Sequence, residues 1–197
     1  MADNRRGLAD KVCTAIDASA RRRFIARSAW LTIPGTPALI ATAYALTSAP
    51  DGLGRDGLAE ASDRLILSVR WLFIAFLPYA AVCLLILHKR FVEGAHNPIQ
   101  GGESERLRIH VRVMQNTLEQ FVWFAVCVLA LATYLSPSQA RIVPIVSIFF
   151  AVARLIYWWG YLRCGTLARA PGVQLTFTLN ISLMVAALAF MLRGTAS

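Results

Sequence analysis

Cysteine motifs are missing from this sequence. Its four cysteines, Cys13, Cys83, Cys127 and Cys164, are widely separated and form no CxxC pair. Zinc sites and disulfide frameworks depend on closely or regularly spaced cysteines, so the sequence predicts neither a metal site nor a disulfide-stabilised fold. Cys83 and Cys127 lie inside apolar runs, where a free cysteine behaves as a small hydrophobic residue.

Acidic residues are also few. Eleven aspartates and glutamates stand against 20 lysines and arginines, which gives a net charge of +9. Such an excess suits either nucleic acid or the anionic face of a membrane. Because the basic residues flank long apolar runs, we infer that the partner is a lipid bilayer and expect no nucleic-acid partner.

Apolar residues make up 57% of the chain and occur in long runs. A helix needs about 20 apolar residues to cross a bilayer, and a crossing segment satisfies its own backbone only as a helix. Five runs meet this requirement: 29–47, 65–87, 116–135, 142–162 and 173–192. The first begins after about 27 mostly polar residues, so we expect a spanning helix and no cleavable signal peptide. We predict an all-α membrane protein of five spans, which excludes a soluble enzyme.

Composition divides the chain into three parts. Residues 1–27 form a basic head, for which an interfacial helix and a disordered tail both remain open. Residues 28–63 contain the first span and an acidic loop, and Pro34 and Pro37 should kink or loosen this span because proline removes helix hydrogen bonds. Residues 64–197 contain the four later spans.

The basic residues predict an orientation. Fourteen lysines and arginines fall on the side that holds the N-terminus, against four on the other side. Basic residues in short loops favour the cytoplasmic side. We therefore expect a cytoplasmic N-terminus, a periplasmic C-terminus and a place in a bacterial inner membrane.

One stripe of polar residues lies on the third helix. Its members are spaced by four, four and three residues, which puts them on one face: Arg108, Arg112, Asn116 and Glu119. An ionisable group at membrane depth is costly and usually has a partner or a function. Arg108 also suits the solvated start of a protruding helix, whereas Glu119 lies deep enough to need a partner.

A second stripe, Arg154, Tyr157 and Tyr161, lies on the fourth span. Arg154 comes nine residues before Arg163, about 13 Å deeper along the helix, where a guanidinium needs a carboxylate, carbonyls or an anionic ligand. Glu119 is the natural partner, so a structural Arg154–Glu119 ion pair and a ligand site both remain open. The two tyrosines are equally typical of an interfacial aromatic belt.

Arg163 and Arg169 bracket the loop after the fourth span, on the same side as both stripes. Together these residues predict a cationic pocket near the cytoplasmic boundary, lined by tyrosines and suited to a small anionic ligand. Thr176 and Asn180 lie one turn apart in the fifth span, and we expect them to hydrogen-bond between helices.

Three segments resemble the MAPEG family (membrane-associated proteins in eicosanoid and glutathione metabolism). Residues 106–120, RLRIHVRVMQNTLEQ, look like the signature that opens the family's second helix, and residues 153–161, ARLIYWWGY, are similar to its third-helix motif. Residues 167–172, LARAPG, look like its third-to-fourth connection. The resemblance covers about residues 64–192. It implies a four-helix transmembrane bundle assembled as a homotrimer, and the extra N-terminal transmembrane helix is similar to the mattrin-like branch.

The resemblance also implies a site for glutathione between subunits. The residues placed around the tripeptide are Arg112, Asn116, Glu119, Arg154, Tyr157 and Tyr161, and Arg108 extends the set by one turn of its stripe. Arg163 or Arg169 would lie near the thiol as the catalytic group. A free thiol has a pKa of about 8.5, and a nearby guanidinium favours the nucleophilic thiolate.

The function expected from the resemblance is that of a glutathione-dependent transferase or peroxidase, or a glutathione-binding protein, acting on lipophilic substrates that arrive from the bilayer. One alternative is a non-catalytic protein of the same fold whose charged residues form interhelical salt bridges. A transporter would show paired broken helices in matching halves, and only the first span suggests such a break.

Overall fold

Helices make up almost all of the described part of the protein. The structure, a computed structural model, describes residues 18–47, 58, 60–94 and 104–194. Its helices are α1 (Ala18–Leu46), α2 (Ala61–Glu93), α3 (Glu105–Tyr134) and a last helical segment, Ile142–Gly194. These residues include no strand, and the prediction of an all-α protein is confirmed.

The last helical segment folds back on itself as a hairpin. Arg154 Nη1 lies 3.2 Å from Thr176 Oγ1, whereas 22 residues of a straight helix would separate the two by about 33 Å. The segment therefore consists of two antiparallel spans, α4 (Ile142–Arg163) and α5 (Ala168–Arg193). The fifth span begins about one turn before its predicted start at residue 173.

Successive helices run in alternating directions. The start of α2 meets the end of α3, where Arg64 Nε donates to the carbonyl of Ala132 at 3.2 Å. The start of α4 meets the end of α1, where Arg141 Nη1 donates to the carbonyl of Thr47 at 2.6 Å. We call this side of the bundle the Arg141 end, and the side with the starts of α1 and α3 and the α4–α5 turn the Arg163 end.

Four helices are long and apolar enough to cross a membrane within the described residues: Ala61–Glu93, Glu105–Tyr134, Ile142–Arg163 and Ala168–Arg193. They form the predicted bundle. The extra helix, α1, has 29 residues and remains helical through Pro34 and Pro37, but it is not one of the four. The prediction of a four-helix membrane bundle with an additional N-terminal helix is confirmed. That this additional helix is itself a fifth span, over residues 29–47, stays a prediction.

The helix α1 lies alongside α5 over the height of the bundle. At the Arg163 end, Gln174 Nε2 donates to the carbonyl of Ile25 at 3.0 Å, and Thr32 Oγ1 donates to Gln174 Oε1 at 3.1 Å. Residues 18–27, predicted as part of the basic head, continue without a break into this helix. Residues 1–17 of that head lie outside the described residues.

Two apolar clusters form most of the core, and a third, small cluster of Leu58, Leu67 and Ala140 lies at the Arg141 end. The larger one fills the bundle toward the Arg141 end and includes Ala75, Phe124, Phe150 and Leu179. The smaller one lies toward the Arg163 end, and its buried members are Val82, Ile86, Leu107, Val113, Tyr157 and Tyr161. Between them, buried polar side chains of α3, α4 and α5 and the half-buried Asn116 occupy the same level of the bundle. We call this level the polar layer: Asn116, Thr117, Gln120, Arg154, Thr176 and Asn180.

The start of α3 is set by its local sequence. Ser104 precedes the helix in an extended conformation, and its side chain accepts a hydrogen bond from the backbone N–H of Leu107 at 3.2 Å. A serine in this position satisfies one of the free N–H groups of a first helical turn. This cap fixes where α3 begins, and the charged first turns of the helix carry the beginning of the first polar stripe.

Candidate functional site

Arg154 is the centre of the polar layer. It is 1% exposed, and its guanidinium joins three helices: Nη2 donates to Asn116 Oδ1 at 2.9 Å and to Thr117 Oγ1 at 3.2 Å, and Nη1 donates to Thr176 Oγ1 at 3.2 Å. The guanidinium carbon also lies 4.1 Å from the centre of the Tyr157 ring, in a cation–π contact. Its Nε is buried and finds no hydrogen-bond partner among the described residues.

The ion pair between Arg154 and Glu119, one of the two interpretations left open by the sequence, is not formed. Glu119 is exposed, and its Oε1 accepts a hydrogen bond from Gln115 Nε2 at 3.3 Å on the same helix. Arg154 faces inward and meets uncharged acceptors, since Asn116 and Thr117 lie on the inner side of α3. The salt-bridge interpretation is therefore wrong for this pair: Glu119 points away from the bundle interior.

The two polar residues predicted to hydrogen-bond between helices do so. Thr176 accepts from Arg154, and its own hydroxyl donates to the carbonyl of Gly172 at 2.9 Å. Asn180 Nδ2 donates to the backbone carbonyl and to the side-chain Oε1 of Gln120, each at 3.1 Å. Both α5 residues are fully buried, and the prediction is confirmed.

Tyr157 and Tyr161 belong to the core and not to an interfacial belt. They are 2% and 8% exposed and pack in the smaller apolar cluster. The guanidinium carbon of Arg169 lies 4.8 Å from the centre of the Tyr161 ring. That of Arg163 lies 4.3 Å from the ring of Trp159, on an exposed face. Both arginines proposed as thiol activators therefore rest on aromatic rings.

The first polar stripe lies mostly on the outer surface of α3. Arg108, Arg112 and Glu119 are exposed, and Asn116 is half-buried because it turns toward Arg154. The helical period continues this exposed face to Val122 and beyond. We call this surface the α3 outer face. Asn116 is the residue that joins it to the polar layer.

The predicted residues thus divide into two groups within one chain. Arg154, Tyr157 and Tyr161 are sealed inside the bundle, whereas Arg108, Arg112 and Glu119 lie on the α3 outer face. A single chain does not gather them into one open pocket.

Three contacts near this site escaped the sequence analysis. Gln120 and Thr117 complete the polar layer. Trp158 Nε1 donates to His110 Nδ1 at 3.1 Å, which ties α4 to α3 near the Arg163 end. A signal for Gln120 was present, because it follows Asn116 by four residues and Thr117 by three, which places it on the same side of α3 as these two partners of Arg154.

Two glycines bring α4 and α5 into close contact beside the site. A Cβ atom on Gly172 would lie 2.5 Å from the backbone nitrogen of Tyr157, and one on Gly160 would collide with the carbonyl of Ala168. Small residues of this kind let helix backbones approach closely in membranes. The close approach sets the register that brings Thr176 to Arg154.

Comparison with known proteins agrees with this geometry. The family model "MAPEG family" matches residues 68–189. Transmembrane protein 79 of Bos taurus and of Mus musculus are each 28% identical to the chain over 129 residues, which is 65% of this chain and 32% of each relative. The chain thus spans about a third of the length of these curated relatives, and no solved structure matches it. Because the family model covers more than half of the sequence and most of the spanning bundle around Arg154, the chain belongs to the MAPEG family.

Proposed function

We propose that this protein binds glutathione, or a similar anionic thiol, at the Arg163 end of a homotrimer and joins it through its sulfur to lipophilic electrophiles. The observation that supports the proposal is that three guanidinium groups have no carboxylate partner within the part of the chain that the structure describes. Arg154 meets only neutral acceptors, and Arg163 and Arg169 lie on aromatic rings. Such a surplus at membrane depth suits an anionic ligand.

The α3 outer face matches the charges of glutathione. The tripeptide has two carboxylates and one ammonium group besides its thiol. Exposed Arg108 and Arg112 lie one turn apart, and a guanidinium binds a carboxylate with two parallel hydrogen bonds. Glu119, two turns from Arg112, offers the complementary anion for the ammonium group. Asn116 connects this surface to buried Arg154.

A second copy of the chain would complete the site. The α3 outer face ends in apolar residues such as Val122 and Val126, both more than half exposed, as expected of a surface that meets another helix or lipid. Arg163 and Arg169 project from the α4–α5 turn at the same end of the bundle. In a trimer they would approach the ligand on the neighbouring copy's α3.

The arginines would act through their charge. Glutathione supplies the nucleophilic sulfur when bound. A guanidinium beside the thiol stabilises the negative charge that appears when the proton leaves, and so raises the fraction of thiolate at neutral pH. Attack on an electrophilic carbon then forms the carbon–sulfur bond, and the leaving group departs with its electron pair. The substrate would enter sideways from the bilayer.

The membrane orientation belongs to the same proposal. The Arg163 end carries more basic residues than the Arg141 end, which favours a cytoplasmic position for it. Glutathione is a cytoplasmic thiol in bacteria that contain it, so a site at this end would face the supply. A bacterial inner membrane fits this arrangement.

Calorimetry with the purified full chain in detergent tests the proposal. We expect binding of glutathione at or below millimolar concentration, and a loss of at least about tenfold in Arg112→Ala because one charge-assisted contact is removed. Arg193→Ala removes an exposed arginine at the Arg141 end and should bind as the unchanged protein does. Light scattering measures the number of copies, and the absorbance of the thiolate measures activation.

The absence of glutathione binding at millimolar concentration would end the proposal. A second candidate, a non-catalytic membrane protein of this family, is favoured by the burial of Arg154, since a sealed guanidinium joining α3, α4 and α5 acts as a brace. It predicts that Arg154→Met lowers the melting temperature while Arg112→Ala changes no measured property. The two candidates thus differ in the phenotype of Arg112→Ala.

A further inference from the structure

A cavity of about 460 Å³ lies between α1 and the bundle at the Arg141 end, opposite the end that holds Arg163 and Arg169. It is open and mostly apolar, and residues of α1, α4, α5 and the α3–α4 turn line it, among them Pro37, Tyr44, Leu135, Val146, Leu183 and Phe190. Ligand cavities in proteins typically measure about 300–1,000 Å³. The cavity is therefore large enough for a ligand, and its lining is too apolar to favour water.

The dimensions of the cavity match one leaflet of a bilayer. On α5 the lining residues extend from Leu179 to Phe190, a rise of about 16 Å. The hydrocarbon core of a bilayer is about 30 Å thick, so the cavity reaches through about half of it. An extended acyl chain that enters from one membrane surface has this direction and this depth.

Arg141 provides a positive charge beside the cavity, at the end that we call its mouth. Arg141 directly precedes the lining residue Ile142, and its guanidinium carbon lies 4.0 Å from the ring centre of Tyr44, which also lines the cavity. One of its nitrogens, Nη1, donates to the carbonyl of Thr47. Its Nε is buried and has no hydrogen-bond partner among residues 18–47, 58, 60–94 and 104–194. A guanidinium carries five N–H donors, so donors remain for a ligand.

The start of α4 adds to this positive potential. The helix begins at Ile142, and its first turn contains no acidic residue. The N-terminus of a helix carries a partial positive charge that stabilises anions. Gln139 lines the same mouth of the cavity and offers an amide donor. Cation, helix terminus and amide together suit a carboxylate or a phosphate.

We propose that this cavity binds an amphiphile with a single acyl chain and an anionic head group, the chain lying between α1 and α5 and the head group against Arg141. The ligand is a fatty acid or an anionic lysophospholipid, which share this chemistry. The proposal is independent of the thiol site, because it concerns the opposite end of the bundle. It gives α1, the helix that precedes the four-helix bundle, a role in holding a lipid.

Photocrosslinking of the full chain in detergent tests the proposal. Three probes carry the same diazirine-bearing acyl chain: a fatty acid, a lysophosphatidylglycerol and a lysophosphatidylcholine. We expect at least one of the two anionic probes to label peptides of α1 and α5 about tenfold more strongly than the zwitterionic probe does. This is the factor expected for one charge-assisted contact. A preference between the two anionic probes distinguishes carboxylate from phosphate.

Two pairs of variants locate the binding. Ala41→Trp fills the cavity from its rim, whereas Ala38→Trp adds the same side chain at an exposed position on α1 that does not line it. Arg141→Gln removes the charge at the mouth, whereas Arg193→Gln removes an exposed arginine at the end of α5. We expect Ala41→Trp and Arg141→Gln to reduce anionic labelling about tenfold and the two controls to leave it unchanged.

Circular dichroism and gel filtration establish that each variant is folded and monodisperse. Because Arg141 also binds the carbonyl of Thr47, a fall in labelling of Arg141→Gln counts only in folded protein, and Ala41→Trp provides the independent measurement. Equal labelling by the three probes, or labelling unaffected by Ala41→Trp, would overturn the proposal.

Discussion

Replacing Gly172 by alanine should weaken the α4–α5 hairpin and loosen Arg154 with it. The added Cβ would lie 2.5 Å from the backbone nitrogen and 2.6 Å from the Cα atom of Tyr157. Ordinary contacts begin at 3.4 Å, so the helices must separate by about 0.9 Å at this level. Backbone atoms cannot turn aside as a flexible side chain does, and overpacking of this kind costs about 1–3 kcal/mol.

The same separation reaches the polar layer. Thr176 follows Gly172 by one helical turn, and its 3.2 Å hydrogen bond to Arg154 would lengthen beyond bonding distance. The loss of a hydrogen bond to a charged group costs about 1.5–3 kcal/mol, and the better helix propensity of alanine returns about 1 kcal/mol. We expect the free energy of unfolding to fall by about 1.5–5 kcal/mol.

The assay is unfolding in mixed micelles with increasing denaturing detergent, followed by tryptophan fluorescence. Gly35→Ala is the matched control, since it also replaces a helical glycine, but its Cβ would meet nothing within 4 Å. This control should be unchanged or more stable by up to about 1 kcal/mol. If both variants shift alike, the close approach of α4 to α5 is not the reason why glycine occupies position 172.

Two further predictions concern the side chains that join α3 to its neighbours. Asn180→Ala and Gln120→Ala should each destabilise the bundle, and a double-mutant cycle measured by the same unfolding assay should give a coupling of about 0.6–1.7 kcal/mol; additive effects would mean that the two side chains do not interact. Trp158→Phe keeps an aromatic ring but loses the donor to His110, so we expect a loss of about 1 kcal/mol, while Trp159→Phe, on the exposed face, should change stability by less than half of that. Equal effects of the two tryptophan variants would contradict the hydrogen bond.

The fold could be predicted because bilayer thickness imposes a simple requirement on sequence. Each spanning run is recognisable in the sequence as a long apolar segment. The order of basic and apolar segments predicts which helix ends lie on the same side of the bundle. The start of α5 was placed about one turn late, since the turn between α4 and α5 is itself helical. The chain reverses between Arg163 and Ala168, so most of LARAPG belongs to the first turns of α5 and not to the connection that its resemblance suggested.

The candidate site was harder to predict, and the reason lies on α3. Helical spacing shows which residues share a side of α3. Residues spaced by four and three nevertheless cover a broad part of the helix circumference. Asn116 lies at the inner edge of this part and Glu119 at its outer edge, so one turns to Arg154 and the other to the surface. Charge complementarity suggested Glu119 as the partner of Arg154, whereas helix geometry selected the neutral Asn116.

The neutral surroundings of Arg154 have a consequence for how the site would work. A guanidinium held by Asn116, Thr117, Thr176 and the Tyr157 ring is already stabilised within one chain, so its burial does not require a ligand. None of these groups is an anion, so no neighbour offsets the charge of the guanidinium, and a potential in a medium of low dielectric extends over several ångströms. Arg154 would therefore attract an anion at the α3 outer face through Asn116, while Arg108 and Arg112 make the direct contacts. On this basis Arg112→Ala should raise the dissociation constant for glutathione more than Asn116→Ala does, and the reverse order would assign the direct contact to the interior of the bundle.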